Sequence, residues 1–562
     1  MQTISRTSKT KNPIFEYYNA IKTKKIIACE KIKKFYKYIT EELKKPESPY
    51  YYSEKHAEHA INFIEKYCKH SKGKFAGKKI VLELWQRAFL ACLFGVLRKS
   101  DDLRRFREAV LFVARKNGKS VFASGIGLYM FTADGEGGAE CYSVATKRDQ
   151  AKITWAEARS MVKKSPALCA RVKTLIGELV YGDNKFQPLS SESNNLDGLN
   201  THFCVMDEIH AWKDLNLYDV MADSVSAREQ PLILIISTMG TVRENVFDKK
   251  YDECERVLNG YCDPEGYKDD KLMPVIYELD KRSEWSSPNA WIKANPNLNV
   301  SKSSEYLQSK VNKAKGDSFF LKNTLTKDFN IRETSSEAWL SFEDIDNSET
   351  FDITVLKPNY AIVGADFSRT TDLTAACILF GLPGTEKLFV YSMYWLPEDL
   401  LEKRTKEDKI PYDIWAQKGL LRLCPGNKID EDCIIDWFKE LYNPPYNIYL
   451  QYGGYDAWSA LSWAKKMRDN FGDVFEPVHQ GKKTLSLPMQ LLGAELQAKR
   501  INYNNNPITK WCLTNTRCDV DKNGNIQPAK TSNSRQRIDG TAAMLNAYTI
   551  FTKYKEEYLN GL

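Results

Sequence analysis

The sequence predicts an α/β protein with two separate α/β regions, the first of them built on a mainly parallel sheet. Two stretches of the chain, 109–236 and 361–452, alternate apolar segments of strand length with helical segments. Such alternation predicts sheets flanked by helices. The length of 562 residues also exceeds what one hydrophobic core usually organises, so two or more domains are expected.

The predicted elements follow from these apolar segments. In the first region, strands are predicted at 109–113, 139–145, 201–206 and 232–236. In the second, strands are predicted at 361–365, 373–380, 388–395 and 448–452, and helices at 458–468 and 485–499. The chain between them has many charges and helical pieces such as 305–315, which indicates a connector or lid. We therefore expect a helical arm at 1–74, an α/β domain at 75–250, a connector at 251–350 and a second α/β domain with a C-terminal tail at 351–562.

The first 50 residues are rich in lysine and contain one amphipathic helix. Its apolar residues recur at three- and four-residue steps: Ala28, Ile32, Phe35, Ile39 and Leu43. Such a helix either docks on the main body or forms an arm that faces DNA or a partner, and the sequence leaves both interpretations open.

Composition favours a soluble protein of the cytosol. Hydrophobic residues are 43% and charged residues 27%, which is ordinary for a globular chain. We find neither an apolar run of membrane-spanning length nor the apolar core of a secretory signal, so no membrane association is expected. The 13 cysteines form no C-x-x-C pair and are expected to be free thiols. The net charge of +8 permits a polyanionic partner without requiring one.

A candidate phosphate-binding loop joins the first predicted strand to a helix. The loop contains Arg115, Lys116, Asn117, Gly118, Lys119 and Ser120. Backbone N–H groups at a helix start hold phosphate oxygens, and the helix dipole favours negative charge there. Lys119 is expected to reach the β and γ phosphates of ATP, and the Ser120 hydroxyl to ligate Mg²⁺. Val113 replaces the first glycine of the usual motif, so the loop alone is a weak signal.

Two further strand ends strengthen the prediction of a nucleotide site. The strand predicted at 201–206 runs into Asp207 and Glu208. In a nucleotide hydrolase, Asp207 would hold the Mg²⁺ shell and Glu208 would polarise the attacking water. The strand at 232–236 ends in Ser237 and Thr238, whose hydroxyls suit a sensor of the γ-phosphate. Each pair alone fits an ordinary strand end, but their order and spacing together favour an ATPase.

Three more residues are candidates for the same site. Gln86, upstream of the loop, is placed to read the adenine edge, although a surface glutamine is nearly as good an interpretation. The guanidinium of Arg115 suits charge developing on the γ-phosphate. Arg228 is a candidate for action on a neighbouring subunit, or else an ordinary exposed arginine.

Acidic residues in the second region predict a metal-dependent nuclease. Asp366 ends an apolar strand, Asp456 follows another, and Asp539 opens a predicted helix; Asp372 starts the strand after Asp366. Carboxylates that converge from strand ends and a helix start can hold two Mg²⁺ or Mn²⁺ ions, which stabilise the attacking and leaving oxygens of phosphodiester cleavage. Individually, Asp539 also fits a helix cap and Asp456 a turn.

The two groups of motifs resemble those of the large terminase subunits of tailed bacteriophages. The resemblance spans about residues 75–550 and includes the imperfect loop, the acid pair, the Ser237-Thr238 coupling motif and the stretch 145–151. A missing first glycine with an arginine inside the loop is typical of this family. In the second region, 364–366, 454–456 and 537–540 resemble the family's RNase H-like active site.

This resemblance implies a P-loop ATPase domain followed by an RNase H-like nuclease. It further implies a homo-oligomeric ring on the portal protein of a procapsid, with a small terminase subunit as partner. Such a ring would drive double-stranded DNA inward with ATP and cut the concatemer, in the cytoplasm of a host bacterium and transiently on the procapsid.

Two other functions compete with this interpretation. A helicase or repair ATPase with an appended nuclease needs a second ATPase-like lobe, and we find no sequence pattern for one after residue 250. A catalytically inert prophage relic that binds DNA or capsid parts is the other alternative. The presence of Lys119, Glu208 and the three principal aspartates argues against decay.

Overall fold

The computed structural model describes residues 12–191, 198–212, 216–240, 246–263, 265–316, 318–333, 338–367, 373–408, 410–456, 461–530 and 537–562. The chain forms two compact units, Met1–Arg332 and Glu333–Leu562. Within the described residues, no helix combines the length and apolar character needed to cross a membrane.

The first unit is organised around an eight-stranded sheet in the order β10-β3-β9-β8-β4-β7-β6-β5. Neighbouring strands from β10 to β7 are parallel, and β6 and β5 are antiparallel additions at one edge. The strands of the unit are β1 (Tyr50–Tyr52), β2 (Val96–Arg98), β3 (Glu108–Phe112), β4 (Glu140–Ala145), β5 (Lys173–Thr174), β6 (Leu179–Tyr181), β7 (Asn184–Ser190), β8 (Thr201–Asp207), β9 (Leu232–Ser237) and β10 (Leu272–Ile276).

Helices cover both faces of this sheet. They are α1 (Pro13–Lys22), α2 (Glu30–Glu42), α3 (Glu54–Tyr67), α4 (Leu84–Gly95), α5 (Lys119–Thr132), α6 (Arg148–Lys164), α7 (Pro166–Cys169), α8 (Asn216–Asp223), α9 (Val246–Gly260), α10 (Ser304–Ala314) and α11 (Ser318–Phe329). The four strands predicted in this region are present, and no end is shifted by more than one residue.

The amphipathic N-terminal helix packs on the main body of the first unit. Ile32, Phe35 and Ile39 of α2 are fully buried in the same core as Leu111 of β3. The expected connector is also partly built into the sheet, because β10 pairs with β3 along its whole length. The compact units therefore divide at 332/333, whereas the expected segment limits at 74, 250 and 350 stay predictions.

The second unit has a mixed sheet in the order β14-β13-β12-β11-β15-β16, with β17 also on β13. β12 is antiparallel to β11 and β13, whereas β11, β15 and β16 are parallel. The strands are β11 (Tyr360–Asp366), β12 (Thr374–Gly381), β13 (Leu388–Pro397), β14 (Leu421–Cys424), β15 (Tyr449–Asp456), β16 (Phe475–Val478), β17 (Ile501–Asn502), β18 (Arg517–Val520) and β19 (Ile526–Ala529). All four strands predicted here are present with shifted ends.

The helices of the second unit are α12 (Phe342–Ile345), α13 (Ile353–Leu356), α14 (Leu401–Asp408), α15 (Tyr412–Gln417), α16 (Glu431–Tyr442), α17 (Leu461–Phe471), α18 (Lys482–Gln497), α19 (Pro507–Asn515) and α20 (Asp539–Asn560). The two predicted helices correspond to α17 and α18, each displaced by two or three residues. The two faces of β11 pack into different hydrophobic cores. Ile362 lies in one core, and Ala361 and Val363 lie in the other.

Two glycines let α20 lie directly on the backbones of β11 and β15. A Cβ atom on Gly364 would stand 2.1 Å from the Ala543 carbonyl oxygen and 2.6 Å from the Ala547 nitrogen. On Gly454 it would stand 2.7 Å from the Asn546 carbonyl oxygen. Such distances are shorter than any van der Waals contact, so these positions require the absence of a side chain.

We expect Gly364→Ala to destabilise the second unit by at least about 2 kcal/mol, because strand and helix backbones must separate to admit the methyl group. Urea unfolding followed by circular dichroism measures this loss. Gly561→Ala is the matched control, since a Cβ there meets nothing closer than 3.4 Å. Equal midpoints for the two variants would contradict the packing argument.

Candidate functional site

The predicted phosphate loop lies between β3 and α5 and has a constrained backbone. Gly118 has a φ of 81°, the left-handed conformation that glycine adopts without strain, and it precedes the first residue of α5. Lys116 adopts φ 68°, which is costly for a residue with a Cβ atom. The Ser301 hydroxyl donates to the Lys116 carbonyl oxygen at 2.7 Å. In such a strand–loop–helix arrangement, the first backbone N–H groups of the helix have no acceptor within the helix and can hold an anion.

The side chain of Asn117 points into the protein. Its Nδ2 donates to the Ala114 carbonyl oxygen at 3.0 Å and to Asn295 Oδ1 at 2.9 Å. Its Oδ1 accepts from the Asn297 backbone N–H at 3.0 Å. Asn297 in turn accepts from the Trp85 indole at 2.7 Å. The Asn117 side chain therefore fixes the shape of the loop, and the predicted contact of Asn117 with nucleotide stays a prediction for its backbone.

Lys119 lies at the centre of a charged group. Its Nζ donates to the Val113 carbonyl oxygen at 2.9 Å, so the side chain closes back over the loop. Burial lowers the pKa of Lys119, while the charges of Glu208 and Asp207 raise it. Ser120, the next residue of α5, is half-buried and borders a shallow cavity. The bond to Val113 uses one of the three N–H donors of the ammonium group, so two remain for a phosphate.

The two acids that end β8 have pKa values displaced in opposite directions. Burial, together with the neighbouring charge of Glu208, raises the pKa of Asp207 to about 6. Burial also acts to raise the pKa of Glu208, but a hydrogen bond from His210 and the charge of Lys119 lower it to about 2. Thr154 donates to Asp207 Oδ2 at 3.2 Å. A buried carboxylate with a raised pKa fits a position that a divalent cation would neutralise.

The backbone of Glu208 is strained, and its carboxylate is held by two partners. Glu208 has a φ of 51°, which is rare outside glycine and is often found at functional sites. His210 Nδ1 lies 2.8 Å from Glu208 Oε2, and Thr238 Oγ1 donates to the same oxygen at 3.5 Å. β8 and β9 are adjacent parallel strands, so their carboxyl ends bring Glu208 and Thr238 together. Ser237, also buried, donates to the Thr238 carbonyl oxygen at 2.9 Å.

The free energy of unfolding should depend on pH through the buried carboxyl group of Asp207. The pKa of this carboxyl is higher in the folded chain than its usual 3.8, so folding penalises the ionised form as pH rises from about 4 to about 6. We expect Asp207→Asn to raise the free energy of unfolding of the nucleotide-free protein by up to about 2 kcal/mol at pH 7.5, and by less at pH 5. Thermal unfolding at both pH values measures the difference. A gain that is larger at pH 5 would contradict the assignment.

Gln86, Arg115 and Arg228, the other candidates for the nucleotide site, have different surroundings in the structure. The Gln86 side chain accepts from the Glu83 backbone at 3.0 Å in the capping box of α4, so its carbonyl oxygen serves the helix start. Arg115 is exposed at the loop. Arg228 donates to Glu136 at 2.8 Å and to the Gly138 carbonyl oxygen at 2.7 Å, which ties it to its own subunit. A role of Arg228 between subunits would need these bonds to break.

Several residues of this site were missed by sequence reasoning. Asn295 and Asn297 contact Asn117 of the loop from the expected connector, about 180 residues away in sequence. Lys302 donates to Asn295, and the Lys327 carbonyl oxygen accepts from the Arg115 backbone N–H. Isolated polar residues at such separation leave no pattern that predicts their contacts. His210 did leave a signal, since it stands two residues after Glu208.

In the second unit, the predicted carboxylates lie at one edge of the sheet. Asp366 is the last residue of β11 and Asp456 the last of β15, and these parallel strands pair up to Ala365 and Tyr455. Asp539 is the buried first residue of α20, which packs across both strands. Burial raises the pKa of the Cys512 thiol, and the charges of Asp539 and Asp366 raise it further. Cys512 therefore lies near both acids.

Neighbouring residues fix this edge. Asn546 of α20 donates to the Ala365 carbonyl oxygen at 2.8 Å and accepts from Gln480 at 3.2 Å, contacts that the sequence did not predict. A Cβ on Gly540 would stand 2.5 Å from the Tyr394 hydroxyl oxygen, which explains the glycine after Asp539.

Arg537 forms a buried ion pair with Asp408 at 3.2 Å. Asp372 lies outside the described residues. Within the described part of the chain, no three acidic, histidine or cysteine side chains form a group that could hold a metal ion in this conformation.

Comparison with known proteins identifies both parts of the chain. Family models of the terminase large subunit match residues 84–256 for the ATPase domain and 267–555 for the endonuclease domain. The second match begins inside the first compact unit, so β10 falls within it.

The chain is also similar to individual proteins and to a solved structure. The large terminase subunit of Enterobacteria phage HK97 is 27% identical over 497 residues, covering 87% of this chain and 94% of that protein. Protein YmfN of Escherichia coli (strain K12) is 27% identical over 383 residues, covering 64% and 80%. The crystal structure of the HK97 bacteriophage large terminase covers 88% of this chain and 99% of that chain, at 25% identity and a TM-score of 0.46. The chain thus belongs to the terminase large subunit family, and it is an ATPase and an endonuclease.

Proposed function

We propose that this protein moves double-stranded DNA into procapsids with energy from ATP and cuts concatemeric DNA with divalent metal ions. The observation that carries the proposal is the grouping of Lys119, at the start of the helix that follows β3, with Asp207 and Glu208 at the carboxyl end of β8; both strands are parallel neighbours of β9. Ligands of α/β sheets bind at this edge. A second set of carboxylates ends the strands of the other unit.

In the ATPase site, backbone N–H groups at the start of α5 would hold phosphate oxygens, and Lys119 would neutralise their charge. Ser120 and Asp207 are the side chains that would hold Mg²⁺, which supplies charge stabilisation to the phosphates when bound. Glu208 would orient the attacking water. Thr238, whose hydroxyl donates to the Glu208 carboxylate, would register the loss of the γ-phosphate. Arg115 is exposed on the loop, and its guanidinium would approach the phosphates from there.

In the nuclease site, Asp366, Asp456 and Asp539 would hold Mg²⁺ or Mn²⁺, which activate water and stabilise the leaving oxygen. Hard carboxylate oxygens suit either ion. Asp372 remains a candidate fourth ligand from the sequence. Asn546 would keep the end of β11 against α20, so that Asp366 and Asp539 face the same space.

The assembly partners are part of the proposal. A homo-oligomeric ring on the portal protein, with a small terminase subunit that selects DNA, would work in the host bacterial cytoplasm and transiently on the procapsid. Support comes from the family membership of the whole chain rather than from any interface.

The function is tested by protection of DNA from DNase. Portal-bearing procapsids, the small subunit, linear DNA and this protein are mixed with ATP, and DNase-resistant DNA is measured. We expect protection with ATP and none with ADP, and linearisation of a plasmid with Mn²⁺ or Mg²⁺ that EDTA abolishes. If the protein hydrolyses ATP and cleaves DNA but protects none of it from DNase with all components present, the packaging proposal fails.

A further inference from the structure

A chain of hydrogen bonds joins the carboxylate of Glu208 to helix α11. His210 Nδ1 lies 2.8 Å from Glu208 Oε2, and the other ring nitrogen, Nε2, lies 2.7 Å from Lys327 Nζ. Lys327 is on the last turn of α11, more than one hundred residues from the acid. The histidine therefore bridges the end of β8 and a helix that the sequence assigns to the connector.

The chemistry of these groups fixes the direction of each bond. An ammonium group has no acceptor, so Lys327 must donate to His210 Nε2. The ring proton then lies on Nδ1 and is donated to Glu208 Oε2. Burial lowers the pKa of His210, which favours this neutral ring, although the hydrogen bond to Glu208 opposes the shift. The result is a directed series in which Lys327 donates to His210 and His210 donates to Glu208.

Lys327 also contacts the two other strand ends of the ATPase site. Its ammonium donates to the Met239 carbonyl oxygen at 3.0 Å, directly after Thr238. Its carbonyl oxygen accepts from the Arg115 backbone N–H at 2.8 Å, inside the phosphate loop. One residue of α11 thus contacts the loop, the coupling segment and, through His210, the acid that orients water.

The next residue of α11 connects to the loop by a second route. The buried carboxylate of Asp328 pairs with Lys302 at 2.9 Å and with Lys310 at 2.6 Å. Lys302 donates to Asn295 Oδ1 at 2.8 Å, the atom that also accepts from Asn117 of the phosphate loop. Any displacement of the last turn of α11 must therefore disturb both sides of the nucleotide site.

We propose that His210 and Lys327 are positioning residues that couple the orientation of Glu208 to the position of α11. This inference rests on the proposed role of Glu208 in ATP hydrolysis. His210 holds the carboxylate in its strained backbone position, and Lys327 transmits a change of that carboxylate to α11. Neither residue touches the reacting atoms.

Two isosteric variants separate the two bonds of His210. In His210→Asn, the amide nitrogen replaces Nδ1 and keeps the donor to Glu208, but the side chain is too short to reach Lys327. In His210→Gln, the amide oxygen can replace Nε2 and keeps the acceptor for Lys327, but the donor to Glu208 is lost. Lys327→Met removes the ammonium group and keeps the apolar length of the side chain.

Steady-state ATP hydrolysis and DNase protection are measured for each variant. We expect His210→Ala and His210→Gln to lower kcat by about 10²-fold with KM for ATP within about twofold, because misplacement of a catalytic group by 1 Å costs that much. We expect His210→Asn and Lys327→Met to retain more of kcat than His210→Ala does, and to lose more packaged DNA than their loss of kcat accounts for. Unchanged kcat in His210→Ala, or packaging that falls only in proportion to hydrolysis in Lys327→Met, would overturn the inference.

A second measurement does not depend on turnover. Hydrogen exchange of α11 is followed with and without ATPγS and Mg²⁺. We expect ATPγS to change the protection of α11 in the wild type but not in Lys327→Met, and an equal change in both would overturn the link. If the wild type hydrolyses ATP but packages no DNA, the proposed function fails, and the kcat and exchange results still decide the role of His210 and Lys327.

Discussion

Replacement of Glu208 by glutamine is expected to lower kcat for ATP hydrolysis by about 10²–10⁴-fold and to leave DNA cleavage unchanged. Glutamine has nearly the same shape and can still interact with Thr238, but it carries no charge to polarise water. Because Lys119 and the loop are untouched, the affinity for ATP should change little. Hydrolysis is measured by phosphate release and cleavage by plasmid linearisation.

The control for this variant is Glu229→Gln. Glu229 is exposed and stands shortly before β9, at the amino ends of the parallel strands, whereas Glu208 follows the carboxyl end of β8. We expect Glu229→Gln to hydrolyse ATP at the wild-type rate. Loss of both activities in Glu208→Gln would indicate general damage, and full hydrolysis in that variant would exclude Glu208 as the acid that orients water.

Strands and acids were the parts of this protein that its sequence made predictable. Continuous apolar runs mark buried strands, and the strand that ends in Asp207 was predicted to within one residue. Placing Asp207, Glu208 and Thr238 together needed only the rule that parallel strands end at the same edge. Those predictions rest on local patterns, which a single sequence contains in full.

Other parts depend on contacts between distant segments. β10 was missed because Leu272–Ile276 is short and lies in a charged stretch, yet it pairs with β3. The contacts of Asn117 with Asn295 and Asn297 join the loop to residues almost two hundred positions away. A polar residue in a loop gives no sequence signal that distinguishes a ligand contact from a structural one. No local pattern therefore indicated that the Asn117 side chain holds the loop.

In the second unit, the glycines beside two predicted site aspartates are required for packing rather than for the chemistry of the aspartates. The stretches 364–366 and 454–456 were singled out by resemblance, with attention to their aspartates. The structure explains their glycines, because Gly364 and Gly454 admit the backbone of α20 at distances no side chain would allow. The aspartates predicted to bind metal and the glycines required for close packing thus lie in the same short stretches.

We expect Asp366→Asn to lower metal-dependent DNA cleavage by at least about 10³-fold and to leave ATP hydrolysis unchanged. An amide offers one neutral oxygen where a carboxylate offers two charged ones, so the affinity for Mg²⁺ or Mn²⁺ at the end of β11 should fall. Cleavage is measured by plasmid linearisation over a range of Mn²⁺ concentrations, and metal binding by calorimetry.

Asp473→Asn is the matched control, because Asp473 precedes β16 at the amino end of the same parallel strands and is largely exposed. It removes one acid from the same sheet without touching the edge that holds Asp366 and Asp456, so its cleavage should equal that of the wild type. Equal losses in both variants would mean that net charge, rather than a metal site, governs cleavage. Full activity of Asp366→Asn would require the metal ligands to lie elsewhere in the second unit.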